Sequence, residues 1–254
     1  MNSQELITDI RSYCIKNASE ANVARYSRYF KEGLYRGYGL TTLQMTEKAK
    51  ELSRKPGLSI DILLEAAPGM IRSGQYEETA FLILLTGSLH KHYSRDVFNG
   101  ITGWYSLGIN NWAHSDGMSS YVLHHFPGKG LVGIPDFRAW LVAQNKYQRR
   151  SVPVTFIKLL KTHPYFGELF TFLEPLMTDP EREVHQGMGW FLREAWKKKP
   201  VETEAFLLKW KEVAPRLIIQ YATEKLSAEG KQRFRRASRI SGANTEHRTP
   251  NTEH

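Results

Sequence analysis

The residues of this chain that could do chemistry together begin with Asp116 and Trp112. Asp116 is the only acidic residue between Asp96 and Asp136. It follows Trp112 by four residues, so on a helix the carboxylate and the indole ring share one face. A fixed carboxylate beside an aromatic face can stabilise a developing positive charge. The alternative is a surface or helix-capping aspartate beside a tryptophan of the core.

Two later positions favour the chemical interpretation. Arg150 follows Trp112 by 38 residues, and Trp190 follows Arg150 by 40. In a solenoid with a repeat of about that length, the three residues recur at one level on successive repeats. Gly187 and Gly189 precede Trp190 in the same predicted helix, where each costs about 1 kcal/mol relative to alanine. They indicate either close approach of another backbone or close helix packing, and the sequence leaves both open.

The elements that must position these residues are helices. Apolar residues recur at helical spacing in nearly every segment, and convincing alternating strands are missing. Segment 151–157 could pass for a strand, but its apolar pattern continues at helical spacing through Leu160, which predicts a helix that contains Pro153. The predicted helices cover roughly residues 3–16, 22–34, 41–54, 59–73, 76–92, 94–108, 111–126, 135–146, 148–162, 166–177, 180–198, 202–212 and 215–226.

Short helices joined by tight turns predict stacked pairs rather than a single bundle. A faint period of about 40 residues relates the segments near 111–126, 148–162 and 180–198, which is typical of HEAT-like repeats. The predicted fold class is all-α, a superhelical stack of antiparallel helix pairs (HEAT-like repeats, an α-α solenoid), forming one domain over residues 1–240. Residues 241–254 contain a repeated Asn-Thr-Glu-His and almost no apolar residues, which predicts a disordered tail.

Composition excludes several classes of protein. The 254 residues are 41% hydrophobic and 24% charged, which is typical of a globular chain. The longest apolar runs are far short of the roughly 20 residues that span a bilayer, and the N-terminus lacks the pattern of a signal peptide. The single cysteine, Cys14, cannot form an internal disulfide. We therefore expect a cytoplasmic protein.

The positive charge is concentrated in one part of the chain. The net charge is +9, and residues 141–240 hold 19 Lys+Arg against 11 Asp+Glu. No acidic residue occurs from Phe137 to Gly167. Concentrated positive charge indicates a polyanionic partner, because each phosphate contact releases counterions. The alternative is a basic surface that is merely solvated.

Three motifs resemble the AlkD-type DNA glycosylases, which are HEAT-like repeat proteins. They are Asn111-Trp112-x-x-x-Asp116-Gly117, Tyr147-Gln148-Arg149-Arg150-Ser151-Val152 and Gly189-Trp190-x-Leu192-Arg193-Glu194, in that order and spacing. The segment 28–33, followed by Tyr38-Gly39-Leu40, is also similar to the opening helices of that family. The resemblance covers roughly residues 20–225 and implies a superhelix that clasps alkylated duplex DNA.

The resemblance also implies roles for individual residues. Trp112 and Trp190 would flank the deoxyribose of the lesion, and Asp116 would face its anomeric carbon. Arg150 would hold the nearby backbone phosphate, with Arg149 as the second candidate. Further DNA contacts are expected from Lys146, Tyr147, Arg193 and Lys197. The chain departs from the family pattern at Tyr147, where the family usually has tryptophan, and at Pro153, which is unusual in that helix.

The implied function is hydrolysis of the N-glycosidic bond of cationic alkylated purines, 3-methyladenine and 7-methylguanine, in duplex DNA without base flipping. No lysine near Asp116 offers a Schiff-base nucleophile, which predicts a monofunctional glycosylase. The histidines show no metal-site spacing, so neither a metal nor another cofactor is expected. The expected partner is double-stranded DNA containing alkylated purines, bound by a monomer. The alternatives are a non-catalytic HEAT-like protein that binds branched or bent DNA and a protein–protein scaffold.

Overall fold

The structure is a computed structural model that describes residues 1–30 and 35–236. These residues form helices and no strand, as the sequence predicts. The end of the predicted helix 22–34 and the predicted tail 241–254 lie outside the described residues. The α-helices are α1 (Ser3–Lys16), α2 (Glu20–Tyr26), α3 (Thr42–Leu52), α4 (Ile60–Arg72), α5 (Tyr76–Ser88), α6 (Arg95–Thr102), α7 (Trp104–Leu107), α8 (Trp112–Gly117), α9 (His125–Gly128), α10 (Lys146–Leu159), α11 (Phe166–Leu173), α12 (Arg182–Trp196), α13 (Pro200–Trp210), α14 (Arg216–Ala222) and α15 (Ala228–Gln232). Short 3₁₀ segments occupy Ser27–Tyr29, His90–His92, Ile134–Val142 and Glu174–Thr178, and a π-helical segment occupies Met118–Leu123.

An inner layer of helices positions the functional residues. It consists of α5, α8 with the π-helical segment, α10, α12 and α14, each packed against the next. The Ser115 hydroxyl donates to the carbonyl of Tyr147 over 2.8 Å, and the Ser119 hydroxyl donates to the carbonyl of Ser151 over 3.1 Å. Because residue numbers increase by four on both helices from the first contact to the second, the neighbouring helices run parallel. Their N-terminal ends therefore meet at one edge of the layer.

An outer set of helices covers the other side of that layer. Helix α4 packs on α5 and α13 packs on α12, so consecutive helices form pairs as predicted. The turn between α4 and α5 contains Gly74 with φ +71°, a conformation that favours glycine. Buried aromatic rings fill the interface: Phe137 makes edge contacts with Phe98 at 5.4 Å and Phe156 at 5.6 Å. Burial of these rings holds the two layers together.

Several predicted helices differ from the structure: 94–108 is divided at Gly103, and 166–177 is α-helical only to Leu173. The helices predicted at 111–126 and 135–146 differ most. The predicted helix 111–126 is α-helical only to Gly117, after which the backbone widens into the π-helical segment. There the Ser119 hydroxyl donates to the carbonyls of Ser115 and Ser151, so a side chain competes with the regular ladder. The predicted helix 135–146 is instead a 3₁₀ segment that starts beside Pro135 and ends at Val142. The segment around Pro153 is helical as predicted.

Candidate active site

A cleft of about 1020 Å³ opens at the N-terminal ends of the inner helices. Its walls come from residues 28–30 and 35–36, from α5, α8, α10 and α12, and from Tyr221 of α14. Six of the nine residues singled out in the sequence line it: Trp112, Asp116, Tyr147, Arg150, Trp190 and Arg193. The repeat spacing therefore brings the predicted catalytic residues into one cavity.

Asp116 and Arg150 form a two-pronged ion pair in this cleft. Arg150 Nε donates to Asp116 Oδ1 and Nη2 donates to Oδ2, both over 2.8 Å. Arg150 Nη1 donates to the carbonyl of Glu183 over 2.7 Å, which ties the guanidinium to the start of α12. The Arg150 side chain is 7% exposed and that of Asp116 is 17% exposed. Charge-assisted pairs of this geometry are strong and directional, so the carboxylate is held in one orientation.

Gly187 makes room for that arginine. A Cβ atom added at Gly187 would lie 3.1 Å from Arg150 Cγ and 3.3 Å from the Arg150 carbonyl oxygen. Gly189 faces the other way, where an added Cβ would lie 2.4 Å from Tyr221 Cβ. The two glycines of α12 therefore serve close helix packing, on α10 and α14 respectively. This resolves the alternatives that the sequence left open.

Trp112 lies one turn before Asp116 on α8 and is 40% exposed. Its ring stacks on Phe30 with centroids 5.8 Å apart and an interplanar angle of 21°. Its indole Nε1 donates to the carbonyl of Tyr29 over 3.4 Å. Phe30 in turn contacts Tyr35 and Tyr76. The N-terminal segment thus supports one face of Trp112 with aromatic rings and leaves the rest of the side chain accessible.

The first turn of α8 is locked by Asn111 and His114. The Asn111 side-chain oxygen accepts from the backbone N–H of His114 over 2.8 Å, which caps the helix. The buried His114 ring places Nδ1 2.8 Å from Asn111 Nδ2 and Nε2 3.0 Å from the Tyr76 carbonyl. An amide donor on one side and a carbonyl acceptor on the other suit a neutral imidazole. Burial lowers the pKa of His114 to about 4, so the ring stays neutral near pH 7. Its contacts with Asn111 and with the Tyr76 carbonyl join the start of α8 to α5.

Helix α12 contributes a stripe of polar and aromatic side chains to the cleft. Arg182, Gln186, Trp190 and Arg193 line it at helical spacing. Gln186 Nε2 donates to the Tyr221 hydroxyl over 3.0 Å, and Arg193 pairs with Glu224 of the region after α14 over 2.9 Å. These contacts tie the far wall of the cleft to the C-terminal helices.

Three predicted DNA-binding residues do not line the cleft. Arg149 donates to Asp179 and to the carbonyl of Ala143, each over 2.6 Å, and so points to the neighbouring loops. Lys146 lies 3.0 Å from Glu183 and 3.3 Å from Glu181. Lys197 is exposed and pairs with Glu194, one turn earlier on α12.

Other arginines of the cleft did not stand out in the sequence. Arg28, Arg36 and Arg182 line it and are exposed, and their side chains make no hydrogen bond or ion pair with any residue in the described ranges 1–30 and 35–236. For Arg182 the signal was present, since it precedes Gln186 and Trp190 on one helical stripe. For Arg28 the signal was the family similarity of segment 28–33, and for Arg36 it was absent, because the chain path across the cleft is set by tertiary packing.

A family comparison covers most of the chain. The model of the DNA alkylation repair enzyme family matches residues 10–226, a span that contains Trp112, Asp116, Arg150 and Trp190. The chain belongs to this family. The assignment confirms the resemblance seen in the sequence motifs, and a DNA alkylation repair enzyme has DNA as its partner. The arginines around the cleft agree with that partner.

Solved structures share the fold of this repair enzyme. A protein of Enterococcus faecalis described as a predicted DNA alkylation repair enzyme is similar over 83% of this chain and 97% of its own, with a TM-score of 0.69 and 17% identity. AlkD2 from Streptococcus mutans is similar over 82% of this chain and 99% of its own, with a TM-score of 0.56 and 20% identity. At these identities the likeness shows the helical-repeat fold alone. No curated protein sequence matches the chain.

Among residues 1–30 and 35–236, no helix is both long and apolar enough to cross a bilayer. The same residues contain no group of three His, Cys, Asp or Glu side chains arranged to hold a metal ion.

Proposed function

We propose that this repair enzyme is a monofunctional DNA glycosylase. It would hydrolyse the N-glycosidic bond of cationic alkylated purines, 3-methyladenine and 7-methylguanine, in duplex DNA. The observation that carries the proposal is the Asp116 carboxylate, held by two hydrogen bonds from Arg150 in a cleft that also exposes Trp112 and Trp190. The enzyme would act as a monomer on DNA in the cytoplasm. The lesion would stay stacked in the duplex during excision, as the family resemblance implies.

The chemistry needs a fixed negative charge. Alkylation leaves the purine cationic, and breaking the bond moves positive charge onto the sugar as the purine departs neutral. Asp116 stabilises this developing charge and orients the water that adds to the anomeric carbon, and the proton that this water loses is released to solvent. The faces of Trp112 and Trp190 add cation–π attraction of about 0.5–2 kcal/mol each.

Arg150 has two tasks in this mechanism. Three of its five N–H groups are used by Asp116 and by the Glu183 carbonyl, so two remain to contact a phosphate beside the lesion. Arg149 is the weaker candidate for that phosphate, because its guanidinium is committed to Asp179 and to backbone carbonyls. The exposed Arg28, Arg36 and Arg182 supply further positive charge for the DNA backbone.

The lining of the cleft, as far as the described residues form it, supports hydrolysis without strand cleavage. The described residues that line the cleft include no lysine, so none of them supplies a Schiff-base nucleophile. Water is therefore the proposed nucleophile, and the expected product is an abasic site in an intact strand.

The experiment is a release assay on methylated duplex DNA. The protein is incubated with the DNA, released purines are identified by mass, and strand breaks are scored on a denaturing gel. We expect free 3-methyladenine and 7-methylguanine with no enzyme-dependent breaks, and unmethylated DNA serves as the control. Duplex binding without any purine release would replace the glycosylase with a non-catalytic DNA-binding protein. Strand breaks that depend on the enzyme would contradict the monofunctional assignment.

A further inference from the structure

A group of histidines lies at the opposite end of the inner layer from the cleft. His90 follows α5, His124 follows the π-helical segment, and His125 begins α9. The His125 ring stacks on His90 with centroids 4.1 Å apart and contacts His124 at 4.0 Å. Three imidazoles from two sequence regions therefore share one contact cluster.

The side chains whose charges act on His124 and His125 are basic. The groups whose charges act on His125 are His124, His90, Lys129 and Lys158. The phenol ring of Tyr93 makes an edge contact with His125 at 6.2 Å. Within residues 1–30 and 35–236, none of the three histidines and neither lysine forms an ion pair with an acid. The sequence gives the reason, because Asp136 is the only acid between Asp116 and Glu168, and it pairs with Arg95.

The ring nitrogens of the cluster keep hydrogen-bonding capacity. His90 Nδ1 lies 3.2 Å from the Gly87 carbonyl, and His124 Nδ1 lies 3.3 Å from the Ser119 carbonyl. Nε2 of both rings and both nitrogens of His125 have no hydrogen-bond partner among the residues that the structure describes. Burial and the surrounding cations lower the pKa of His125 to about 4, and burial is the main cause of a lowered pKa at His124. The site is thus poor in negative charge and rich in potential donors.

The cluster lies within reach of a duplex that occupies the cleft. Arg150 and Lys158 are eight residues apart on α10, or about 12 Å along the helix axis. His124 also follows Asp116 by eight residues, and the half-exposed Tyr121 lies between them in sequence. Half a turn of B-DNA rises about 17 Å, so one duplex can present phosphates to both places.

We propose that His90, His124, His125, Lys129 and Lys158 form a second phosphodiester-binding site, the histidine–lysine patch, which holds the backbone of the same duplex outside the cleft and takes up protons as it binds. This inference rests on the proposed binding of duplex DNA in the cleft. A phosphate beside the rings stabilises the protonated imidazole, whose N–H then donates to a phosphate oxygen. The lysines supply the permanent part of the charge.

The proposal predicts the direction of a pH effect. The pKa values of His124 and His125 are lowered in the free protein and rise when a phosphate arrives, so binding takes up protons. Affinity for duplex DNA therefore increases as the pH falls through the range in which histidine titrates. One proton taken up gives at most about a tenfold change in affinity for each pH unit.

The test is a binding titration of a lesion-free duplex at about pH 7.5 and about pH 5.5. We expect wild type to bind about tenfold more tightly at the lower pH. The double variant His124→Gln/His125→Gln should lose most of that ratio. The control His163→Gln should keep it, because His163 already lies 3.1 Å from Glu168. Equal pH ratios in wild type and the double variant would overturn the proposal.

A second variant avoids the partly buried rings. Lys158 is exposed, and Lys158→Gln should reduce the slope of log affinity against log salt by about one. An unchanged slope would also overturn the proposal. Purine release is measured on the same proteins. Proton-linked binding without purine release would contradict the glycosylase proposal and support the patch. Purine release with equal pH ratios in wild type and the double variant would contradict the patch and support the glycosylase.

Discussion

The two ends of the inner helix layer treat charge in opposite ways. At the cleft, the two partly buried arginines are matched, Arg150 to Asp116 over 2.8 Å and Arg193 to Glu224 over 2.9 Å, and the arginines without an ion pair among the described residues are exposed. At the histidine–lysine patch, the groups whose charges act on His125 are two histidines and two lysines. The same parallel helices carry both ends, so the difference comes from the side chains and not from the architecture.

The difference separates two uses of electrostatics. A matched, partly buried pair fixes the position of a carboxylate, which catalysis at a sugar carbon requires. A group of basic side chains does not hold any one of them in a fixed position, but its positive potential attracts anions. The cleft end is therefore suited to chemistry and the patch to holding a polyanion. Four predictions test this comparison.

The largest expected effect comes from removing the negative charge at the cleft. Asp116→Asn keeps the size of the side chain but loses the charge that would face the sugar, at a cost of about 2.7–4 kcal/mol or roughly a hundred- to thousandfold in rate. Duplex binding should hold or tighten slightly. Single-turnover release of 7-methylguanine beside a binding titration measures both. Asp136→Asn, which breaks an ion pair with Arg95, is the control. Equal release rates would remove Asp116 from the mechanism.

The second prediction concerns the neutral histidine at the cleft end. The pKa of His114 is about 4 in the folded protein, below its ordinary value of about 6.5, so the unfolded chain binds the proton first as the pH falls. The stability that this residue contributes is present above about pH 6.5 and is lost toward pH 4, to a limit of about 3 kcal/mol. Urea unfolding across that range should show the loss in wild type and a smaller loss in His114→Gln. Parallel curves would contradict the assignment.

The third prediction is that a substitution at Gly187 disturbs the Asp116–Arg150 ion pair, because Gly187 packs against Arg150. Gly187→Ala places a Cβ atom 3.1 Å from Arg150 Cγ, which should displace the arginine and destabilise the fold by about 1–3 kcal/mol. Purine release should slow with it. Gly167→Ala is the matched control, since an added Cβ there has nothing within 4 Å and should stabilise α11 by about 0.5–1 kcal/mol. The idea fails if the two variants melt and react alike.

The smallest expected effect is a different salt dependence of the histidine pKa values at the patch and at the cleft. The cations around His125 help to lower its pKa, and salt screens such charges, so raising the ionic strength should raise that pKa. The pKa of His114 is lowered by burial and should not respond. Histidine NMR titrations at two salt concentrations measure both groups. Equal shifts in the pKa of His114 and His125 would mean that neighbouring positive charge does not distinguish the patch from the cleft.

Much of the cleft could be predicted from spacing. Trp112 and Asp116 lie one helical turn apart, and the intervals to Arg150 and Trp190 match one repeat, so their convergence follows from helix and repeat geometry. The details of α8 could not be predicted, because the π-helical segment depends on Ser119 bonding to Ser151, which lies on another helix. The role of His114 was missed for the same reason, since its partner is the Tyr76 carbonyl of α5.

By itself, the sequence determined the helical class, the repeat spacing and the concentration of positive charge, because each depends on residue type and local period. Only the tertiary structure decided which partner each charge meets. Arg149 and Arg150 are adjacent, yet successive residues point about 100° apart on a helix, so one reaches Asp179 and the other Asp116. His90 and His125 likewise meet only because parallel helices end side by side. Contacts between distant residues depend on packing, and no local pattern encodes them.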